Sequence, residues 1–179
     1  MVYLFTSIRI AKAGPGLILN TVGPVCIFVS GEGSIEDRLG YRFRRPEHLR
    51  RALTRKAYAN EQRQRGNDCP DQEICSTLGD AVIRLVLVTL LIRQGCVTPD
   101  EITRMKRGLE REEVLAAIGA RLGIGTDIIP GIGEEKQGAR NEPYVLAETL
   151  EAVAGAIFVD GGYDTAEVLL SEWFGPYLQ

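Results

Sequence analysis

Residues Val145 to Phe158 form an almost uninterrupted apolar run, Val-Leu-Ala-Glu-Thr-Leu-Glu-Ala-Val-Ala-Gly-Ala-Ile-Phe, in which Glu148 and Glu151 stand three apart. An amphipathic helix ordinarily turns its acids to water, but the neighbours Ala147, Leu150, Ala152 and Ala154 leave almost no polar face for them. A run of this kind must be buried among other helices, and its acids then need a partner.

A second apolar stretch, from Leu78 to Ile92, carries Asp80 near its start. Ser76 lies four residues before Asp80 and Glu73 seven before it, so on a helix the three share one face. If the two helices cross, as many as four carboxylates meet. Like charges packed together repel and shift one another's pKa, and a cation relieves that cost. Oxygen donors without a nearby His or paired Cys point to magnesium or manganese rather than zinc. The alternative is that Asp80 merely favours the positive end of its helix while Glu148 and Glu151 face solvent.

Further motifs resemble a known family. The segments Ile35 to Phe43 and Leu49 to Glu61 are similar to the opening of the ribonuclease III catalytic domain. The same order continues through Leu78-Gly79-Asp80, the loop from Gly133 to Arg140, Ala147 to Ala152, and Phe158-Val159-Asp160-Gly161-Gly162. The resemblance implies an all-α domain, the ribonuclease III endonuclease fold, over residues 34–179, behind a short irregular or β-like N-terminal arm at 1–33. It further implies hydrolysis of double-stranded RNA with Mg2+, or Mn2+ in its place, by a homodimer, in RNA processing that includes ribosomal precursors. Carried across residue by residue, Asp80 and Glu151 become the catalytic acids. Asp80, Glu148 and Glu151 become metal ligands, directly or through water, with Glu73 as an auxiliary acid.

Three departures from the family pattern stand out. Where the family has Asn-Glu-Arg-Leu-Glu-Phe before Leu-Gly-Asp, this chain reads Gln72-Glu73-Ile74-Cys75-Ser76-Thr77. Ser76 replaces the second acid, and Thr77 replaces a Phe that plugs into the partner subunit, removing an aromatic anchor from the dimer contact. Glu148 lengthens the family's Asp. The longer Glu148 is expected to reach into the space left by Ser76, keeping one ion while weakening a second. Two functions follow: a metal-dependent endoribonuclease, or a catalytically weakened RNA-binding or dimeric scaffold. The sequence ends at Gln179, just after the catalytic region, so a separate double-stranded RNA-binding domain is not expected within it.

A net charge of −3 and a pI near 5.3 do not mark a general phosphate binder, so contacts to RNA must come from local patches. Arg42, Arg44, Arg45, Arg50, Arg51, Arg55 and Lys56 crowd one stretch. Arg104, Lys106 and Arg107 follow a helix start at Thr98-Pro99-Asp100-Glu101 and are the residues assigned to RNA. The competing reading pairs both groups with Glu36, Glu47, Glu110 and Glu112 on a solvated face. Glu101 or the position of Pro99 matches a further acid of the family's cleavage valley.

Elsewhere, Pro46 to Leu53 reads as a helix begun by proline, residues 63–70 as a polar loop, and Glu110 to Leu122 as a helix stopped at Gly123. Gly125 to Asn141 reads as a loop or short irregular element, and Ala166 to Phe174 as a closing helix. Gly-Pro breaks, Arg9 and Lys12 deny residues 1–33 the roughly 20 unbroken apolar residues of a membrane span, so no membrane partner is expected. A charged nucleolytic domain behind this arm argues against export. Cys26, Cys69, Cys75 and Cys96 lack CxxC spacing and have one histidine, His48, beside them, which fits reduced thiols in a cytoplasmic setting rather than a zinc site.

Overall fold

Two apolar helices cross at the centre of the computed structural model, which describes residues 33–178. The first of them, Glu73–Arg93 (α4), buries Val82, Ile83, Val86, Leu87 and Leu91 at the three- and four-residue spacing of one helical face. The second, Pro143–Phe174 (α8), is buried on nearly all sides from Val145 to Ile157, as its sequence demands. By length and composition α4 is also apolar enough to cross a membrane, but here it is a core helix lying against α8.

The two backbones touch. A Cβ built on Gly79 would fall 1.7 Å from the Glu151 carbonyl oxygen, and one on Gly155 would fall 2.2 Å from the Cys75 carbonyl oxygen. Side chains normally hold packed helices apart, so reciprocal glycines permit a closer approach. This contact sets the turn bearing Ser76 and Asp80 against the turn bearing Glu148 and Glu151.

Around this pair pack Ile35–Leu39 (α1), Pro46–Leu53 (α2), Lys56–Gln64 (α3), Pro99–Leu109 (α5), Glu112–Arg121 (α6) and the short Ile132–Lys136 (α7). Pro46 occupies the start of α2, which buries Leu49, Ala52 and Leu53. The Thr98 hydroxyl caps α5 by accepting from the Glu101 amide at 3.3 Å. The described residues are all helix and connection, apart from one isolated parallel bridge between Thr54 and Ile129. The extension expected at 1–33 lies, but for Gly33, outside the described residues.

Three expectations are refined. Residues 125–141 hold α7 between short 3-10 turns at Ile124–Asp127 and Ala139–Asn141. The closing helix expected at Ala166–Phe174 is the second limb of α8, set off from the first by a kink at Gly162, whose φ of 80° and ψ of −179° belong to a region open essentially to glycine. Asp80 lies about two turns inside α4 rather than in its first turn, so the helix-end account of that acid falls away.

Just before that break, Asp160 fastens α8 to the segment leading into α2. Its carboxylate accepts from the Tyr41 hydroxyl at 2.7 Å and from the backbone amides of Arg44 and Arg45 at 2.8 and 3.1 Å. Burial acts to raise the Asp160 pKa, but these hydrogen bonds outweigh it and hold the carboxyl below its ordinary value. A carboxyl lowered in the folded state contributes stability above its unfolded pKa and loses it as pH falls through the folded value. Asp160→Ala should therefore cost about 1.5–3 kcal/mol at pH 7, and less near pH 3. Urea titrations at the two pH values check this; an equal loss at both would remove the charge from the explanation.

Candidate metal and RNA-cleavage site

Glu151 is the residue most affected by the crossing of α4 and α8. Its half-buried carboxyl is pushed up to about 7, first by burial and then by the negative charge of Asp80, with a smaller push from Glu148. The Ser76 hydroxyl, 3.4 Å from Glu151 Oε2, and Arg84 act in the opposite direction. An acid raised by a neighbouring acid carries charge repulsion that a cation relieves.

The other candidates each have a basic partner. Asp80 Oδ2 lies 3.0 Å from Arg84 Nη2, and Glu73 Oε1 lies 2.7 Å from Lys56 Nζ at an exposed position. Glu148 is held by Arg55 Nη1, and the same guanidinium reaches Glu134 Oε1 at 3.0 Å. Arg55 is buried: burial opposes its charge, but Glu148 and Glu134 more than compensate and raise its pKa. Its Cζ stands 5.9 Å from the centre of the Tyr144 ring, close enough for a cation–π contact. With its amide oriented to donate to the Ala52 carbonyl at 3.0 Å, Gln72 also accepts from Arg55 Nη1 at 2.9 Å. Backbone fixes this hub, because the Arg55 amide donates to the Ile129 carbonyl at 3.0 Å and the Ile129 amide donates to the Leu53 carbonyl at 2.8 Å.

An open cleft of about 240 Å³ runs past these groups, lined by Glu110, Glu112, Leu115, Tyr144, Ala147, Glu148 and Glu151. Glu110 and Glu112 enter from the junction of α5 and α6. They appear in the sequence as partners for nearby bases, and Glu110 does hold Lys106 Nζ, at 2.8 and 2.9 Å from its two oxygens. Their place beside Glu148 and Glu151 is visible only once α6 lies along α8.

The donor chemistry suits a hard divalent cation, being carboxylate and hydroxyl oxygens beside a Glu151 raised first by burial and then by Asp80. Asp80 and Glu151 are the acids brought together. Among the described residues, however, no three Asp, Glu, His or Cys side chains are grouped closely enough to enclose an ion. Glu148 and Glu73 are held by Arg55 and Lys56.

Of the basic residues assigned to RNA, Arg104 and Arg107 are exposed on α5, whereas Lys106 is committed to Glu110. Arg55 leaves the set available to phosphates because it is buried, and Arg45 is paired with Glu47 and Arg42 with Asp37. The Glu101 carboxylate turns back to the Val97 amide at 3.4 Å.

Comparison with known proteins agrees with this fold. A family model described as ribonuclease-III-like matches residues 46–178. Ribonuclease 3 of Syntrophotalea carbinolica is 36% identical over 146 residues, covering 81% of this chain and 62% of that protein. Ribonuclease 3 of Geobacter sulfurreducens is 35% identical over 156 residues, covering 87% of this chain and again 62% of the relative. The chain thus spans under two thirds of these relatives. Among solved structures, the nuclease domain of ribonuclease III from Campylobacter jejuni superimposes with a TM-score of 0.72 at 26% identity, covering 80% of this chain and 96% of that one. That structure was characterised for structural flexibility in the region involved in dimer formation. The crossed helices, the paired acids and this match along most of the chain have one common explanation: the protein belongs to the ribonuclease-III-like family.

Proposed function

We propose that this chain is an endoribonuclease that hydrolyses phosphodiester bonds of double-stranded RNA with Mg2+, or Mn2+ in its place, in cytoplasmic RNA processing such as that of ribosomal precursors. The observation that carries the reading is Glu151, raised to about 7 beside Asp80 where α4 and α8 touch. Asp80 and Glu151 hold the ion, with Glu148 joining when it leaves Arg55 and Glu73 acting from the rim. When bound, the ion supplies polarisation of the phosphodiester and activation of water. Arg104 and Arg107 contact phosphates flanking the scissile bond, and Lys106 joins them when it leaves Glu110.

The active form is a homodimer. Ile74, Leu85 and Ile92 on α4 are 68%, 53% and 55% exposed, and Thr77 and Ala81 continue the same helical stripe. A second copy of the domain would cover this apolar face.

Ser76 in place of an acid and the arginines on Asp80 and Glu148 favour a second reading, a scaffold that binds duplex RNA without efficient cleavage. Incubating the protein with a perfect RNA duplex and Mg2+ separates the two. Cleavage that disappears in Asp80→Asn and without metal supports the enzyme. Binding without cuts, with cleavage gained in Ser76→Glu, supports the scaffold.

A further inference from the structure

The two arginines that hold the acidic cluster are unequal. Arg55 is locked from several sides and its side chain is only 9% exposed. Arg84, four residues after Asp80 on the same face of α4, is 57% exposed. Besides its contact with Asp80, its Nε lies 3.7 Å from Glu110 Oε1, an oxygen already satisfied by Lys106. Exposed pairs of this kind contribute little net stability, so the guanidinium can leave at small cost. While in place it offsets part of the charge of Asp80, and the remainder still acts on Glu151.

We propose that Arg84 is a displaceable internal counter-ion, which occupies Asp80 in the metal-free chain and competes with the divalent cation for that carboxylate. This inference rests on the metal-site reading above. A guanidinium on Asp80 Oδ2 takes up part of the negative charge that a divalent ion would use, and the positive charge of Arg84 also repels an arriving cation. The arrangement keeps the crossing of α4 and α8 tolerable without metal and sets a lower affinity than the bare acids would have. Arg84 is thus a tuning residue and not a ligand.

Titration of the full chain with Mn2+ alone, followed by calorimetry or by the electron paramagnetic resonance signal of free Mn2+, tests this. Arg84→Gln should bind Mn2+ about tenfold more tightly than the natural chain, and Arg84→Lys, which keeps the charge, within about threefold of it. The gain in Arg84→Gln should shrink between low and high NaCl, because screening weakens competition between charges. Affinity in Arg84→Gln that is equal to or weaker than that of the natural chain overturns the proposal. Asp80→Asn separates the two levels of inference. If it abolishes Mn2+ binding while Arg84→Gln changes nothing, only the counter-ion role fails. If Mn2+ binding is indifferent to Asp80→Asn, or no variant binds saturably, the metal-site reading fails and this inference falls with it.

Discussion

Gly155→Ala, and likewise Gly79→Ala, should destabilise the protein by about 4 kcal/mol or more, a large part of the roughly 5–15 kcal/mol typical of a whole domain. The new methyl groups would fall 2.2 Å from the Cys75 carbonyl and 1.7 Å from the Glu151 carbonyl, so they meet backbone rather than a movable side-chain tip. Relief requires the central helices to separate, and the buried residues that α4 and α8 pack against each other lose contact when they do. Thermal melts should show both variants at least about 10 °C below the parent, or expressed as insoluble chain. Gly108→Ala is the control. It lies inside α5 with nothing within 4 Å of its built Cβ, and better helix propensity should stabilise it by up to about 1 kcal/mol. A melt of Gly155→Ala within a degree or two of the parent would disprove direct backbone contact. The same contact brings Ser76 Oγ to Glu151, so a milder variant that still folds should lose this site geometry first.

Helical character was legible because it depends on local pattern. Pro46 at a first turn, Thr98 as a cap and the apolar spacing of α4 all act over a few residues. The approach of Asp80 to Glu151 was legible too, since acids inside apolar helices have few other places to go. What closes the cluster was not. Arg55 reads as one more base in a basic run, and its burial depends on the bridge from Thr54 to Ile129, seventy-odd residues away in the chain. Glu134, the second acid on Arg55, stands in a segment that reads as a loop or short irregular element until α7 forms. The start of α4 was hidden for another reason. Gln72 caps nothing with its side chain, whose amide serves Ala52 and Arg55 instead, and the polar acceptor of the first turn is Asp71, one residue further back, which takes the Glu73 amide at 3.2 Å.

Glu151→Gln should stabilise the metal-free protein at pH 8 while removing its metal binding. The carboxyl is raised from its model-compound value of 4.5 to about 7, chiefly by burial and then by Asp80. For an acid raised on folding, the unfolded chain gives up its proton first, so stability is lost as pH climbs from about 4.5 through 7 and the full cost persists above that. Because the side chain remains partly open to water, solvent screening reduces this cost to about 1–2 kcal/mol. Glutamine never ionises, so Glu151→Gln should match the parent near pH 4 and exceed it at pH 8 in urea titrations without metal. Mn2+ should reverse the order: it stabilises the parent by mass action and leaves Glu151→Gln unchanged. Duplex cleavage should fall by about a hundredfold or more, since even groups one layer behind a metal ligand cost up to that much. A variant that is less stable than its parent at pH 8 would show that Glu151 is satisfied within the fold by its own protein partners. A cation would then have no unrelieved charge to bind, and the acids at this crossing would be structural.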